Sequence, residues 1–159
     1  MKYSSRKDTL KHIWQVRKAI FRIIWELLKR ALSHDRSKLG KFEKPGFDIY
    51  TPKLKELTYG SPEYKQSLDG LGNYLRHHYY VNRHHPEHYE NGIQDMCLVD
   101  IVEMLCDWYA ATKRHKDGDI FTSIRSNKDR FNYSNDLVEI FRNTVYRCFI
   151  NSEHKQEKQ

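Results

Sequence analysis

Apolar residues near the start of the chain recur at intervals of three and four, and no alternating, period-two segment stands out anywhere. These two features restrict the fold more than any other. Side chains three and four apart share one face of a helix, whereas a half-buried strand needs every second residue apolar. Val16, Ala19, Ile20, Ile23 and Leu27 line one side of a helix that starts after Ser4 or Ser5 and runs to about Leu32. "SSRKD" supplies a capping serine, and Asp8 falls in the first turn, where an acid favours the positive helix end. The expected fold is all-α.

Further along, "SHDRSKLGKFE" reads as a short helix, and "KPGFDIYTPKLKELTYGSPEY" reads as loop, punctuated by Pro45, Gly46, Pro52 and Gly60. Ser61-Pro62-Glu63 starts another helix, with serine as cap and proline in the first turn. That helix should reach the histidines beyond residue 76, weakened in its middle by Gly70 and Gly72. Pro86 and Gly92 mark a turn region. Helices are expected at about Met96–Lys113, 120–130 and, capped by Ser134, 135–150, with "KDGD" as a turn. Five to seven helices thus form a single-domain bundle over residues 1–150, and residues 151–159 are a frayed tail.

With 159 residues the chain is long enough to bury a core without disulfides. No run approaches the roughly 18 apolar residues that span a bilayer. "AIFRIIWELL" is interrupted by Arg22 and Glu26 with no cleavage site after it, so neither a membrane span nor a signal peptide is expected. Three cysteines with no CxxC spacing point to the cytoplasm and away from a zinc ribbon. A net charge of +7 favours an anionic partner, whether a phosphorylated small molecule, nucleic acid or an acidic protein. The oligomeric state is left open.

Residues 77–88 hold five of the nine histidines: His77, His78, His84, His85 and His88. Such a tract is a metal site, a run that merely looks like a histidine tag, or a polar surface rich in stacking residues, and partners elsewhere in the chain decide among them. Asp100, Glu103 and Asp107 lie on one line of the nearly all-apolar "MCLVDIVEMLCDWYAAT". They form either a narrow solvent-facing stripe or a buried acidic one. Asp107, with Met96, Met104 and Ala111 on its side, needs a cation, and a metal ion is one candidate. His12 stands at the start of the apolar stripe of the first helix, as a hydrogen-bonded core residue or a ligand, with Asp8 one turn earlier able to orient it. His34-Asp35, followed by Lys38, offers nitrogen and oxygen ligands side by side, with a cation to meet an anion. Within the histidine tract His78, His84 and His85 are the favoured ligands. His77, His88, Glu87 and Glu103 are then partners of ligands or contacts of the substrate.

In this order, His12, His34-Asp35, the 77–88 histidines and Asp107, the chain resembles the HD superfamily of metal-dependent phosphohydrolases. "HDRSK" is similar to its HDxxK variant, and "RHHPEHYENG" resembles the paired-histidine segment of the HD-GYP phosphodiesterases. The GYP tripeptide itself is absent after Gly92. From "HIWQVRKAI" through "NRHHPEH" to "KDGDI" the whole chain also resembles a family of uncharacterised small bacterial and phage proteins.

The resemblance implies hydrolysis of a phosphate ester, expected to be that of a nucleotide, by one or two divalent ions (Mn, Fe, Co or Mg) that lower the pKa of a water. His34 and Asp35 would hold both ions, His12 and Asp107 completing one and the histidines of 77–88 the other. Lys38 would meet the phosphate, with Arg36, Arg76, Arg83 and Arg114 as further clamps. Tyr79 and Tyr80 would stack on a base or pack the core. A similar ligand order serves di-iron oxygenases, and imidazole-rich sites suit iron. A third reading is a metal-stabilised basic helical protein that binds nucleic acid or a protein without catalysis.

Overall fold

A computed structural model describes residues 4–58, 61–114 and 118–150. Among them are seven α-helices and no strand, so the chain is all-α, as its apolar spacing demands. Two compact units divide it, Met1–Asp35 and Arg36–Gln159.

The first unit is essentially one helix, α1 (Arg6–Ser33), preceded by Ser5 as its N-cap residue. It ends because Ser33 turns its hydroxyl back to donate to the Lys29 carbonyl at 2.9 Å. The His34 amide closes the last turn on the Arg30 carbonyl, and Asp35 takes a left-handed φ of 55° that no α-helix continues through. Among the described residues of its unit, α1 is the only helix.

The second unit begins with a 3₁₀ turn, Arg36–Leu39, followed by α2 (Lys44–Glu56). Here the structure departs from the loop expected over this stretch. Pro45 sits in the first turn, where no amide hydrogen bond is lost. Pro52 is accommodated inside the helix. Gly46 is needed for packing rather than for a bend: a β-carbon there would lie 2.3 Å from Tyr74 Cδ2. Ser61 caps α3 (Pro62–Leu71) as expected, its hydroxyl accepting from the Tyr64 amide at 3.1 Å. The helix expected to run on to the histidines is instead broken at Gly72, whose φ of 48° starts α4 (Asn73–Val81) in a new direction.

After two 3₁₀ turns, Pro86–His88 and Gly92–Asp95, come α5 (Leu98–Thr112), α6 (Ile120–Phe131) and α7 (Asn135–Thr144), which continues as a π-helical turn, Val145–Ile150. Asp119 caps α6 by accepting from the Thr122 amide at 2.8 Å, and Ser134 caps α7 by accepting from Leu137 at 3.2 Å. These three helices enclose the apolar core. Met104 and Trp108 from α5 meet Ile124 from α6, Phe141 from α7 and Val145 from the π-helical turn. Each such side chain contributes about 1.5–3 kcal/mol by leaving water. The expected "KDGD" turn and the expected frayed tail lie partly or wholly outside the described residues.

Candidate metal centre

Three histidine rings meet in the second unit because three local features aim them there. Gly72 resets the direction of α4, which carries His78 near its end, on its buried side. Asn82 then terminates the helix, its side-chain amide donating to the His78 carbonyl at 2.8 Å. Beyond it His84 and His85 occupy the loop before Pro86. One ring nitrogen from each of His78, His84 and His85 lies within 4.8 Å of the others, and the Nε2 atoms of His78 and His85 are 3.0 Å apart. Two imidazole nitrogens on one divalent ion at about 2.1 Å, subtending a right angle, are themselves about 3.0 Å apart. The three rings therefore fit a cation.

Buried carboxylates stand behind two of them. Glu43, at the start of α2, accepts from His78 Nδ1 at 3.0 Å and from His77 Nδ1 at 2.7 Å. Glu103 on α5 lies 3.2 Å from His84 Nδ1. A carboxylate only accepts hydrogen bonds, so each of these Nδ1 atoms carries the hydrogen and Nε2 becomes the ligating atom. Ser37 and Asn82 extend the network. Asn82 donates to Ser37 Oγ at 2.8 Å, and Ser37 donates to Glu43 Oε2 at 2.9 Å.

The acidic line of α5 turns inward, not to solvent. Asp100 is fully buried. It receives Arg83 Nε and Nη2 at 3.3 Å each, the Tyr89 hydroxyl at 2.7 Å and the Cys97 amide at 3.0 Å. Burial alone would raise its pKa, but the hydrogen bonds from Arg83, Cys97 and Tyr89 outweigh that and hold it well below the usual carboxylate range. Burial and the bond to Asp100 push the Tyr89 hydroxyl upward. One turn after Asp100 comes Glu103, behind His84, and one turn after that Asp107, half-buried on the same line.

Several residues expected at the site have other employment. Arg83 is engaged by Asp100 rather than held ready for a phosphate. Arg76 donates to Asn73 on its own helix. Glu87 pairs with Arg130 of α6, and His88 donates through Nδ1 to the Tyr79 carbonyl at 3.1 Å. Both contacts tie the histidine loop to its neighbours. Arg36 and Arg114 are exposed. His77, expected as a partner of ligands, is one through Glu43.

His34 and Asp35 close the first unit, with His34 Nε2 3.6 Å from Asp35 Oδ2. His12 is on the helix that His34 caps at its C-terminus. Twenty-two residues of continuous α-helix separate them, about 33 Å at 1.5 Å per residue. His12 and the His34-Asp35 pair therefore cannot share an ion, and His12, with Asp8 beside it, is removed from the expected ligand set. Sequence reading missed Glu43 and Ser37. Neither carries a local signal, since Glu43 is 34 residues from His77 and becomes its neighbour only through the fold.

The model of one family matches residues 1–150, which is nearly the whole chain and takes in all of these side chains. The chain belongs to the DUF5662 family, a family of unknown function. No curated protein and no solved structure matches it. Membership of DUF5662 brings no reaction or ligand with it, so the chemistry of this DUF5662 chain rests on its own residues. No helix among its described residues is long and apolar enough to cross a membrane.

Proposed function

We propose that the protein is a metal-dependent phosphohydrolase acting in the cytoplasm on a phosphate ester, that of a nucleotide. The observation that carries this reading is the convergence of His78, His84 and His85, two of them backed at Nδ1 by buried carboxylates. Rings held in this way are characteristic of metal ligands. An imidazole-rich set suits Mn, Fe or Co better than Mg. A divalent ion held there supplies a water of lowered pKa and polarises a phosphoryl oxygen.

The chain's own residues do the rest. Lys38 Nζ lies 5.0 Å from the centre of the Phe47 ring, and that ring is edge-on to His78 at 5.5 Å. An ammonium group held on the ring that packs against His78 can neutralise a phosphate and the charge that builds on it. Arg36, two residues away, can assist. Asp107, on the line of Glu103, is assigned as a further ligand. His34 and Asp35 are assigned on their His-Asp-x-x-Lys spacing. The +7 charge suits an anionic substrate.

The test is metal analysis of the purified protein, then a screen of nucleoside monophosphates, cyclic nucleotides and a generic phosphodiester. The expected result is bound divalent metal and phosphate-ester cleavage, with the double variant His78→Ala, His84→Ala losing the metal and more than about 100-fold of the turnover. Metal content and turnover unchanged in that variant would overturn the reading. Iron-dependent oxygen uptake without ester cleavage would replace it with an oxygenase. Salt-dependent nucleic-acid binding that survives chelation, with no turnover, would replace it with a binding protein.

A further inference from the structure

We infer that Glu43 is the positioning residue of this centre, the group that fixes which nitrogen of His78 is presented and in what ring plane; the inference rests on the metal reading above. Four observations carry it. Glu43 is completely buried, and a carboxylate withdrawn from water is costly unless hydrogen bonds compensate it. It occupies the N-cap position of α2 yet makes no capping hydrogen bond, so helix capping does not explain an acid there. Both of its oxygens are used instead on α4: Oε1 by His77 and Oε2 by His78. Finally, Ser37 donates to the same Oε2 at 2.9 Å, which ties the turn carrying Lys38 to the ring.

His77 and His78 are consecutive on a helix and point about 100° apart. A carboxylate with an oxygen facing each ring holds both in their divergent directions. His78 then has no freedom to turn its Nδ1 toward the other histidines, and Nε2 stays beside Nε2 of His85. Asn82 supports the same edge of the ring by donating to Ser37 and to the His78 carbonyl. Glu43 thus joins three pieces of chain, the 3₁₀ turn at Arg36–Leu39, the start of α2 and the end of α4, at the atom behind one ligand. Glu103 stands behind His84.

Cobalt(II) titration of the full chain, followed by visible absorption and calorimetry, tests this. Glu43→Gln retains shape but replaces one acceptor by a donor, and is expected to weaken cobalt binding about 10–100-fold and to change the ligand-field bands, with the helical circular dichroism retained. Glu43→Asp, which keeps the charge without the reach, should restore only part of the affinity. Ser37→Ala leaves the carboxylate but frees its position, and should give a smaller loss in the same direction; it serves as the deciding variant if Glu43→Gln does not fold. Glu139→Gln, an exposed acid on α7, is the control and should bind like the wild type. Wild-type affinity and bands in a folded Glu43→Gln, or in Ser37→Ala when that variant decides, overturn this inference alone. Failure of the wild-type protein to bind cobalt overturns the metal reading beneath it.

Discussion

Asp100 has the most hydrogen-bond donors of any acid described, and it illustrates how one residue's surroundings set a pH dependence. Its carboxylate is stabilised in the folded chain by Arg83, Cys97 and Tyr89, so its folded pKa lies below its unfolded value of about 3.9. A depressed carboxylate pKa contributes stability that is fully present above the unfolded value and is lost as pH falls toward the folded one. Asp100→Asn should therefore cost about 2 kcal/mol at neutral pH, because Arg83 loses its counter-charge and an amide meets donors where only an acceptor fits. Thermal melts of the two proteins should differ most above pH 5 and converge as the pH drops below 4. A gap independent of pH would show that shape, not charge, is what Asp100 provides. Tyr89→Phe removes only one of the donors and should shift the melt less.

Among the elements, α2 best separates what the sequence expresses from what it conceals. The helices flanked by Ser61 and Ser134 are legible because a side-chain oxygen accepts an amide three residues on, a purely local event. The acidic line on α5 is legible too, since spacing alone places Asp100, Glu103 and Asp107 together, although which way it faces is not. In α2, two prolines and a glycine in nine residues look like loop, and only the partner explains them. Gly46 is where the Tyr74 ring of α4 rests on the α2 backbone. The same reasoning accounts for His12, whose apolar register is real but whose helix runs on unbroken past the point where a ligand would have to turn back.

Gly46→Ala tests the contact between α2 and α4. Alanine improves helix propensity by about 1 kcal/mol, but its β-carbon would fall within 3 Å of three Tyr74 atoms, and overpacking of this kind costs about 1–3 kcal/mol. The clash should win by a modest margin in the melting temperature. Metal binding should suffer as well, because α2 carries Glu43 and α4 carries His78. A variant that melts earlier but binds metal as the wild type does would mean the two helices separate without disturbing the histidines.

At the scale of the whole molecule, the three convergent histidines and the carboxylates behind them come from α2, α4, the following loop and α5, joined only through the fold. An ion gripping His78, His84 and His85 therefore has no preformed site in the unfolded chain and binds the folded state almost exclusively. Under that linkage free metal at 100 times its dissociation constant adds about 2.7 kcal/mol to stability. For a chain of this size each kilocalorie moves the melt by about 2–4 °C, so metal-loaded protein should melt about 5–10 °C above chelated protein. The rise should follow the logarithm of metal concentration, and hydrogen exchange should slow in α4 and α5 together, since α4 carries His78 and α5 carries Glu103 behind His84. In the His78→Ala, His84→Ala variant the dependence should vanish while the apolar core of α5, α6 and α7, which needs no ion, still unfolds cooperatively. Superimposable melts of loaded and chelated wild-type protein would mean that the three imidazoles pack and hydrogen-bond with one another and hold nothing.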